Sequence, residues 1–288
     1  MTDILLTGAS GSTGGAIAQA LTERGETYRA LSRRDRLALP AGGTHVRADL
    51  DDKAALAAAL DGVRAAFLVT PSTEQAESQQ RSFIDTAVAA GAEHIVLLSQ
   101  FAAAAESPVR FLRYHAAVEE HLSASGIGAT ILRPNLFMQG LLMFADQLRE
   151  GILAAPIGDA SVSAVDVRDI GAVGAAALTG PPRGVLELTG PAALTHAEMA
   201  HELAAASDIP IRFADAPPAE FAAALRGLIP DWQVEGLVED YAHYAAGEAS
   251  RVGSGVRDVL GRDPLDFSRF AVEVAAPVLS ESPDSHGE

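Results

Sequence analysis

Cysteine is absent from the 288-residue sequence, so disulfides, thiolate metal sites and cysteine nucleophiles are excluded. Aromatic residues make up only 5%, so an interior drawn from the 48% hydrophobic residues must rely on Ala, Leu and Val. Basic residues are also few: 21 Lys and Arg against 38 Asp and Glu leave a formal charge of −17. Nucleic-acid phosphates require a basic surface, so no nucleic-acid partner is expected. No apolar run reaches the length of a membrane span, and Ile4-Leu5-Leu6 follows no basic segment of a signal peptide. The expectation is a cytoplasmic protein with no membrane partner. Its oligomeric state stays open, a homodimer among the options.

What is present is alternation. Strand-like runs at Ile4–Thr7, Thr27–Leu31, Thr44–Ala48, Ala65–Val69, His94–Ser99 and Ala129–Arg133 are interleaved with helix-period stretches. Those stretches are Thr13–Arg24, Asp52–Leu60, Glu74–Ala90 and Val109–Ser125. Such an order means βαβ units and a parallel sheet covered on both faces, and Ile95-Val96-Leu97-Leu98 has the continuous apolar character of a strand buried on two sides. It predicts an α/β Rossmann-type doubly wound sheet of order 3-2-1-4-5-6, with a crevice at the carboxyl ends of strands 1 and 4.

After Arg133-Pro134 the pattern changes: a helix at Phe137–Arg149, a strand at Ser161–Val165, a helix at Asp166–Leu178 and a strand at Val185–Leu188. The helix Thr195–Ala206, a strand at Pro210–Ala214 and helices at Pro217–Arg226, Asp231–Ala246 and Phe267–Glu273 follow. This predicts a dinucleotide-binding domain over 1–135 and a smaller α/β substrate-side lobe over 136–276, with room for a strand to rejoin the main sheet. The stretch 277–288, rich in Ser, Pro and acid, reads as a disordered tail.

The first strand ends in Thr7-Gly8-Ala9-Ser10-Gly11-Ser12-Thr13-Gly14, which opens the first helix. Gly8 allows a tight turn, Gly11 lets the backbone approach a diphosphate, and Gly14 permits close helix–strand packing. The helix start offers unpaired N–H groups to the anion, and Ser10, Ser12 and Thr13 add hydroxyls. A glycine triad alone is a weak signal; its place at the first βα turn of a repeating βαβ pattern gives it meaning. After the second strand comes Ser32-Arg33-Arg34 where an NAD-binding acid would stand. Guanidinium forks grip a 2′-phosphate that a carboxylate would repel, so NADP(H) is the expected cofactor. Asp49 and Leu50 are placed to line the adenine pocket, with Asp49 alternatively an N-cap.

Several runs together resemble the NmrA-like branch of the atypical short-chain dehydrogenases/reductases. They are Thr7–Gly14, Ala48-Asp49-Leu50, Phe67-Leu68-Val69-Thr70-Pro71, His94–Ser99, Ile131–Phe137 and Val165–Ile170, and the likeness extends from about Asp3 to Phe270. The resemblance implies an extended cofactor over the glycine loop and a substrate cleft between the lobes. It also implies that Val69, Thr70 and Pro71 lie beside the ribose and nicotinamide, Ser99 and Gln100 under the nicotinamide, and Pro134, Asn135, Leu136 and Phe137 over its other side. Members include quinone and enone reductases, benzylic ether reductases and dinucleotide-binding transcriptional co-regulators, so membership alone leaves the chemistry open.

The sequence departs from short-chain reductases where Tyr-x-x-x-Lys supplies a proton: those places hold Phe111 and His115. Ser99, Tyr114 and His115 remain as catalytic candidates nearby. His115 reads as a proton donor near neutral pH, as a hydrogen-bond partner of the nicotinamide ribose, or as a partly exposed helix-surface residue. Tyr114, one step along the helix and so on another face, reads as supporting. Without a strong acid, acceptors that stabilise their own anion after hydride transfer are favoured, quinones above all, then enones and iminium ions. Phe101, Phe137, Met138, Met143, Phe144, Trp232 and Tyr241 are candidates for an apolar substrate wall or for lobe core. His196 and His201 lack the i, i+4 spacing of a zinc helix and read as a polar helix face; Asp166 and Asp169 read as helix-capping acids.

The expected function is an NADPH-dependent reductase of a hydrophobic, electron-poor small molecule. A non-catalytic NAD(P) sensor and a redox-neutral isomerase or cyclase are the alternatives.

Overall fold

The structure, a computed structural model, describes residues 3–281. Along the chain β1 (Ile4–Leu6), α1 (Ser12–Glu23), β2 (Tyr28–Ser32), β3 (Gly43–Arg47), α2 (Lys53–Leu60), β4 (Ala65–Leu68), α3 (Ala76–Ala89), β5 (His94–Leu98), α4 (Arg110–Ala124) and β6 (Gly128–Pro134) build the first half. A 3₁₀ run (Met138–Phe144), α5 (Ala145–Arg149), β7 (Ile152–Ala155), β8 (Ser161–Val162), α6 (Val167–Thr179), β9 (Gly184–Leu188), β10 (Leu194–Thr195) and α7 (His196–Ser207) follow. The chain continues through β11 (Arg212–Asp215), α8 (Pro218–Leu225), α9 (Asp231–Ala245), α10 (Gly255–Leu260) and α11 (Phe267–Phe270), then through the π-turn Ala271–Ala275 into α12 (Ala276–Ser280).

The main sheet has the order β3-β2-β1-β4-β5-β6-β9 with every neighbour parallel. The expected 3-2-1-4-5-6 order is present, and β9 extends it by a seventh strand from the second half of the chain. Period-two alternation divides each strand between two cores. In β4, Ala65 and Phe67 pack beneath α1 and α6, while Ala66 and Leu68 pack beneath α2, α3 and α4.

The second half is not one contiguous lobe. The segment from Val165 through α6, together with Leu188 of β9 and Val256 of α10, belongs to the core under α1. The separate lobe core gathers residues such as Leu148, Leu153, Met199, Leu203, Phe221, Tyr241 and Phe270. Two small ribbons, β8 with β10 and β7 with β11, edge this lobe.

Local chemistry explains several departures from expectation. Gln139 breaks the helix expected over Phe137–Arg149: its amide donates to Asp166 Oδ1 (2.8 Å) and accepts from Val167 N (2.9 Å), holding the start of that stretch as 3₁₀. Asp52, not Asp49, caps α2, its Oδ1 accepting from Ala54 N and Ala55 N at 3.0 Å. Asp49 instead accepts from Asp51 N at 3.1 Å. The tail expected from 277 begins as helix, with Leu279 buried and Val278 O accepting from Arg149 Nη2 at 2.8 Å. Its remainder, 282–288, lies outside the described residues. Among the described residues no helix is long and apolar enough to cross a membrane.

Candidate active site

The reversal of strand order between β1 and β4 leaves a crevice at their carboxyl ends. A cleft of about 650 Å³ opens there, lined successively by the loops after β1, β4, β5 and β6 and, on its far side, by α4 and α9. Thr7 ties the first two loops together, its hydroxyl donating to Val69 O and accepting from Val69 N, both at 2.8 Å.

The glycine loop is shaped by backbone contact. Gly8 has φ +65°, and a Cβ there would lie 2.4 Å from Val69 Cγ1. A Cβ on Gly14 would lie 2.2 Å from Gly8 O, so only glycine lets the helix start press onto the turn. Gly11 differs: its Cβ would meet nothing nearer than Gly8 O at 3.4 Å, leaving open space beside it in the cleft. α1 begins after Gly11 without a side-chain cap, so its first-turn amides have no partner within the helix. Open space at Gly11 next to uncapped amides suits a dinucleotide diphosphate.

Of the residues expected around a cofactor, Gly8, Ser10, Gly11, Ser12, Thr13, Gly14, Val69, Thr70, Pro71, Ser99, Gln100, His115, Pro134, Asn135 and Phe137 all line this one cleft. Ser32, Arg33, Arg34, Asp49 and Leu50 do not; Ser32 ends β2, and the others follow β2 and β3. Arg33 and Arg34 are exposed, and Ser32 Oγ accepts from Arg34 N at 3.3 Å. Asn135 is fixed by its amide, which donates to Ser163 Oγ (2.9 Å) and Ala249 O (2.8 Å) and so joins the loop after β6 to the lobe.

The three catalytic candidates have environments the sequence did not disclose. Ser99 lines the cleft but donates its hydroxyl to the buried Glu119 carboxylate, which Arg133 also holds. His115 is buried rather than on the helix surface, with Nδ1 unpartnered. Burial, reinforced by the Arg133 charge, pushes it down to about 3, so at neutral pH it carries no imidazolium proton to give. Tyr114 and His115 both line the cleft, with ring centroids 4.1 Å apart. Tyr114 Oη lies 3.1 Å from Ser72 Oγ, and burial pushes the phenol up to about 12.

Most of the expected substrate wall lies elsewhere. Phe137 lines the cleft, but Met138, Phe144 and Tyr241 belong to the lobe core. Phe101 is buried beneath the Arg251 guanidinium, 4.8 Å from its ring centroid. Trp232 backs Phe111 at 5.2 Å rather than facing the cavity, and Met143 is exposed. Phe111, Leu136, Leu237 and Tyr244 supply the apolar surface instead. His196 is no part of a polar face: it is fully buried against Phe213 and Tyr241, and burial pushes it down to about 4. Asp166 does cap α6, accepting from Arg168 N at 2.8 Å, and Asp169 pairs with Arg262 at 2.7 Å.

Sequence reasoning missed Asp240. It lines the cleft from α9, and both its oxygens accept from Gln100 Nε2, at 2.9 and 3.0 Å. The available signal was its spacing: Gln233, Leu237, Asp240 and Tyr244 follow one another at four, three and four residues, which sets an acid within a helix face that meets the cleft.

Comparison with known proteins bears on this cleft. Residues 1–252 match the NmrA-like family. The chain is 34% identical over 280 residues to an NAD(P)H azoreductase of Xenophilus azovorans, covering 95% of this chain and 98% of that one. It is 33% identical over 283 residues to a (4-alkanoyl-5-oxo-2,5-dihydrofuran-3-yl)methyl phosphate reductase of Streptomyces griseus, covering 96% and 100%. Among solved structures, an NADPH-dependent quinone oxidoreductase of Escherichia coli complexed with NADPH superposes with a TM-score of 0.82 at 27% identity, covering 93% and 98%.

Proposed function

Since this chain belongs to the NmrA-like family, we propose that its cleft carries out NADPH-dependent reduction of a hydrophobic, electron-poor small molecule, a quinone or an azo compound first among them. The carrying observation is continuity: one cleft joins the glycine loop and the uncapped start of α1 to the apolar side chains Phe111, Leu136, Phe137 and Leu237. The first-turn amides of α1 with Ser10 and Ser12 would hold the diphosphate, Arg33 and Arg34 the 2′-phosphate, and Thr70, Pro71 and Asn135 the nicotinamide side. Bound NADPH supplies a hydride from its nicotinamide C4.

The residues on the far side of the cleft orient a flat acceptor and exclude water. A quinone is a conjugated acceptor whose reduced anion, a phenolate, is weakly basic, which suits a site lacking the Tyr-x-x-x-Lys pair, whereas an azo group leaves a basic nitrogen anion that needs a proton from another group in the cleft. The expected result is NADPH oxidation, followed by loss of the reduced cofactor's absorbance, with a panel of naphthoquinones, azo dyes and cyclic enones. Tight binding of NADP⁺ and NADPH alike with no turnover on any acceptor would favour the dinucleotide sensor instead.

The phosphate assignment has its own test. Replacing Arg33 and Arg34 together with Ala removes charge-assisted bonds to a 2′-phosphate and is expected to weaken NADPH binding roughly 30-fold by calorimetry, leaving NADH nearly unchanged. Equal losses for the two nucleotides would reject it.

A further inference from the structure

The missing phenol raises the question of which group in the cleft gives up a proton when the acceptor is reduced. Four side chains are candidates by position, and three are engaged or mismatched. Ser99 has donated its hydrogen to Glu119. His115 is neutral until the solution is strongly acidic. Tyr114 shares a hydrogen bond with Ser72 and is a weaker acid than a free phenol. Asp240 is the fourth.

We propose that the Asp240 carboxyl, held against the Gln100 amide on the lobe side of the cleft, is the acid that protonates the acceptor; this rests on the reductase reading. The side chain is buried, and among the described residues its side-chain hydrogen-bond partner is a neutral amide. Arg110 on the neighbouring helix α4 is already taken: it pairs with Glu239 at 2.7 Å and with Glu235 at 2.9 Å. The groups around Asp240 are Glu239, Tyr241 and Tyr244 on α9, Tyr114 on α4 and Gln100 after β5, none of them positively charged. A buried carboxylate with no counter-charge favours its protonated form. Burial pushes Asp240 up to about 7, against a smaller lowering by Gln100 and a raising by Glu239, so much of the population holds a proton near neutrality. That is the range in which a general acid works best.

The step balances. The acceptor gains a hydride, with its two electrons, from NADPH, which is oxidised to NADP⁺. The anion thus left on a quinone oxygen or azo nitrogen takes the Asp240 proton: the carboxyl O–H bond breaks, a new O–H or N–H bond forms, and the pair of electrons stays on the carboxylate. Water returns a proton to Asp240 before the next turnover.

The test compares wild type with Asp240→Asn and Gln100→Leu. With ¹³C-carboxyl-labelled aspartate and no ligand, one buried carboxyl should titrate near pH 7 in wild type, vanish in Asp240→Asn, and move to higher pH in Gln100→Leu, where the amide that favours the charged form is gone. With menadione as acceptor, wild-type kcat should fall as pH rises through about 7, since the acid is then lost. Asp240→Asn should be flat across that range and about tenfold slower at pH 6, below the usual 10²–10⁴-fold of a general acid because a hydroquinone anion is weakly basic. Gln100→Leu, which leaves the carboxyl in place, should keep the limb but shift it upward. NADPH affinity should change less than twofold in Asp240→Asn, which alters no residue expected to touch the cofactor.

A pH profile identical in wild type and Asp240→Asn, or loss of turnover confined to cationic acceptors at every pH, would overturn the proton-donor role and leave the reductase reading standing. A wild-type chain that binds NADPH but fails to oxidise it with any of the naphthoquinones, azo dyes or cyclic enones would overturn both.

Discussion

Replacing Gly14 with alanine is expected to weaken NADPH binding by about 100-fold, while the same change one residue later, Gly15→Ala, leaves affinity within about twofold. The two positions share a helix turn and differ in what a methyl group would strike. At Gly14 the added Cβ would lie 2.2 Å from Gly8 O, 2.5 Å from Gly8 C and 2.9 Å from Ala9 N, all backbone atoms that no side-chain rotation can clear. The turn cannot retreat toward β4 either, because Gly8, at φ +65°, already sits where its own Cβ would clash with Val69. The loop must therefore lift from the helix start, and the amides proposed to hold the diphosphate lose their common direction. At Gly15 the nearest atom, Ala9 O, is 3.6 Å away, an ordinary contact. Calorimetry with NADPH on both variants decides the matter, and equal affinities would mean that the loop does not hold the nucleotide.

The shape of that loop was readable from the sequence because it depends on local backbone geometry, which glycine spacing reports directly. The sheet was readable for a similar reason: runs such as Ile95–Leu98 and the helix-period stretches between them leave few ways to wind a parallel sheet. The far side of the cleft was not. Its residues come from α4 and α9, more than a hundred positions apart, and a helix sequence does not say which neighbour its face will meet. Tyr241 and Asp240 are adjacent in sequence, yet the first goes into the lobe core and the second into the cleft. The sequence left room for a strand to rejoin the main sheet but did not say which one, since pairing of β9 with β6 is a long-range choice. Aromatic type was a poor guide to the substrate wall because Phe144, Trp232 and Tyr241 bury as well in a core as in a pocket.

The shape of the cleft floor depends on a buried ion pair, and its removal should be costly. Arg133, at the end of β6, donates from Nε to Glu119 Oε1 at 2.9 Å and from Nη2 to Oε2, while Ser99 at the end of β5 donates to the same carboxylate. Glu119 on α4 is 7% exposed, so little solvent is at hand to offset a lost partner. Arg133→Met strands that carboxylate and is expected to destabilise the fold by about 3 kcal/mol in denaturant unfolding, at the low end for buried pairs because the guanidinium is partly exposed. Glu119→Leu strands only the cation, which can turn toward solvent, and should cost less. The double variant should be more stable than Arg133→Met alone, because no unpaired buried charge remains and two apolar side chains fill the space. Losses that simply add would mean the pair contributes nothing by being a pair, and the ends of β5 and β6 would then owe their alignment to the sheet alone.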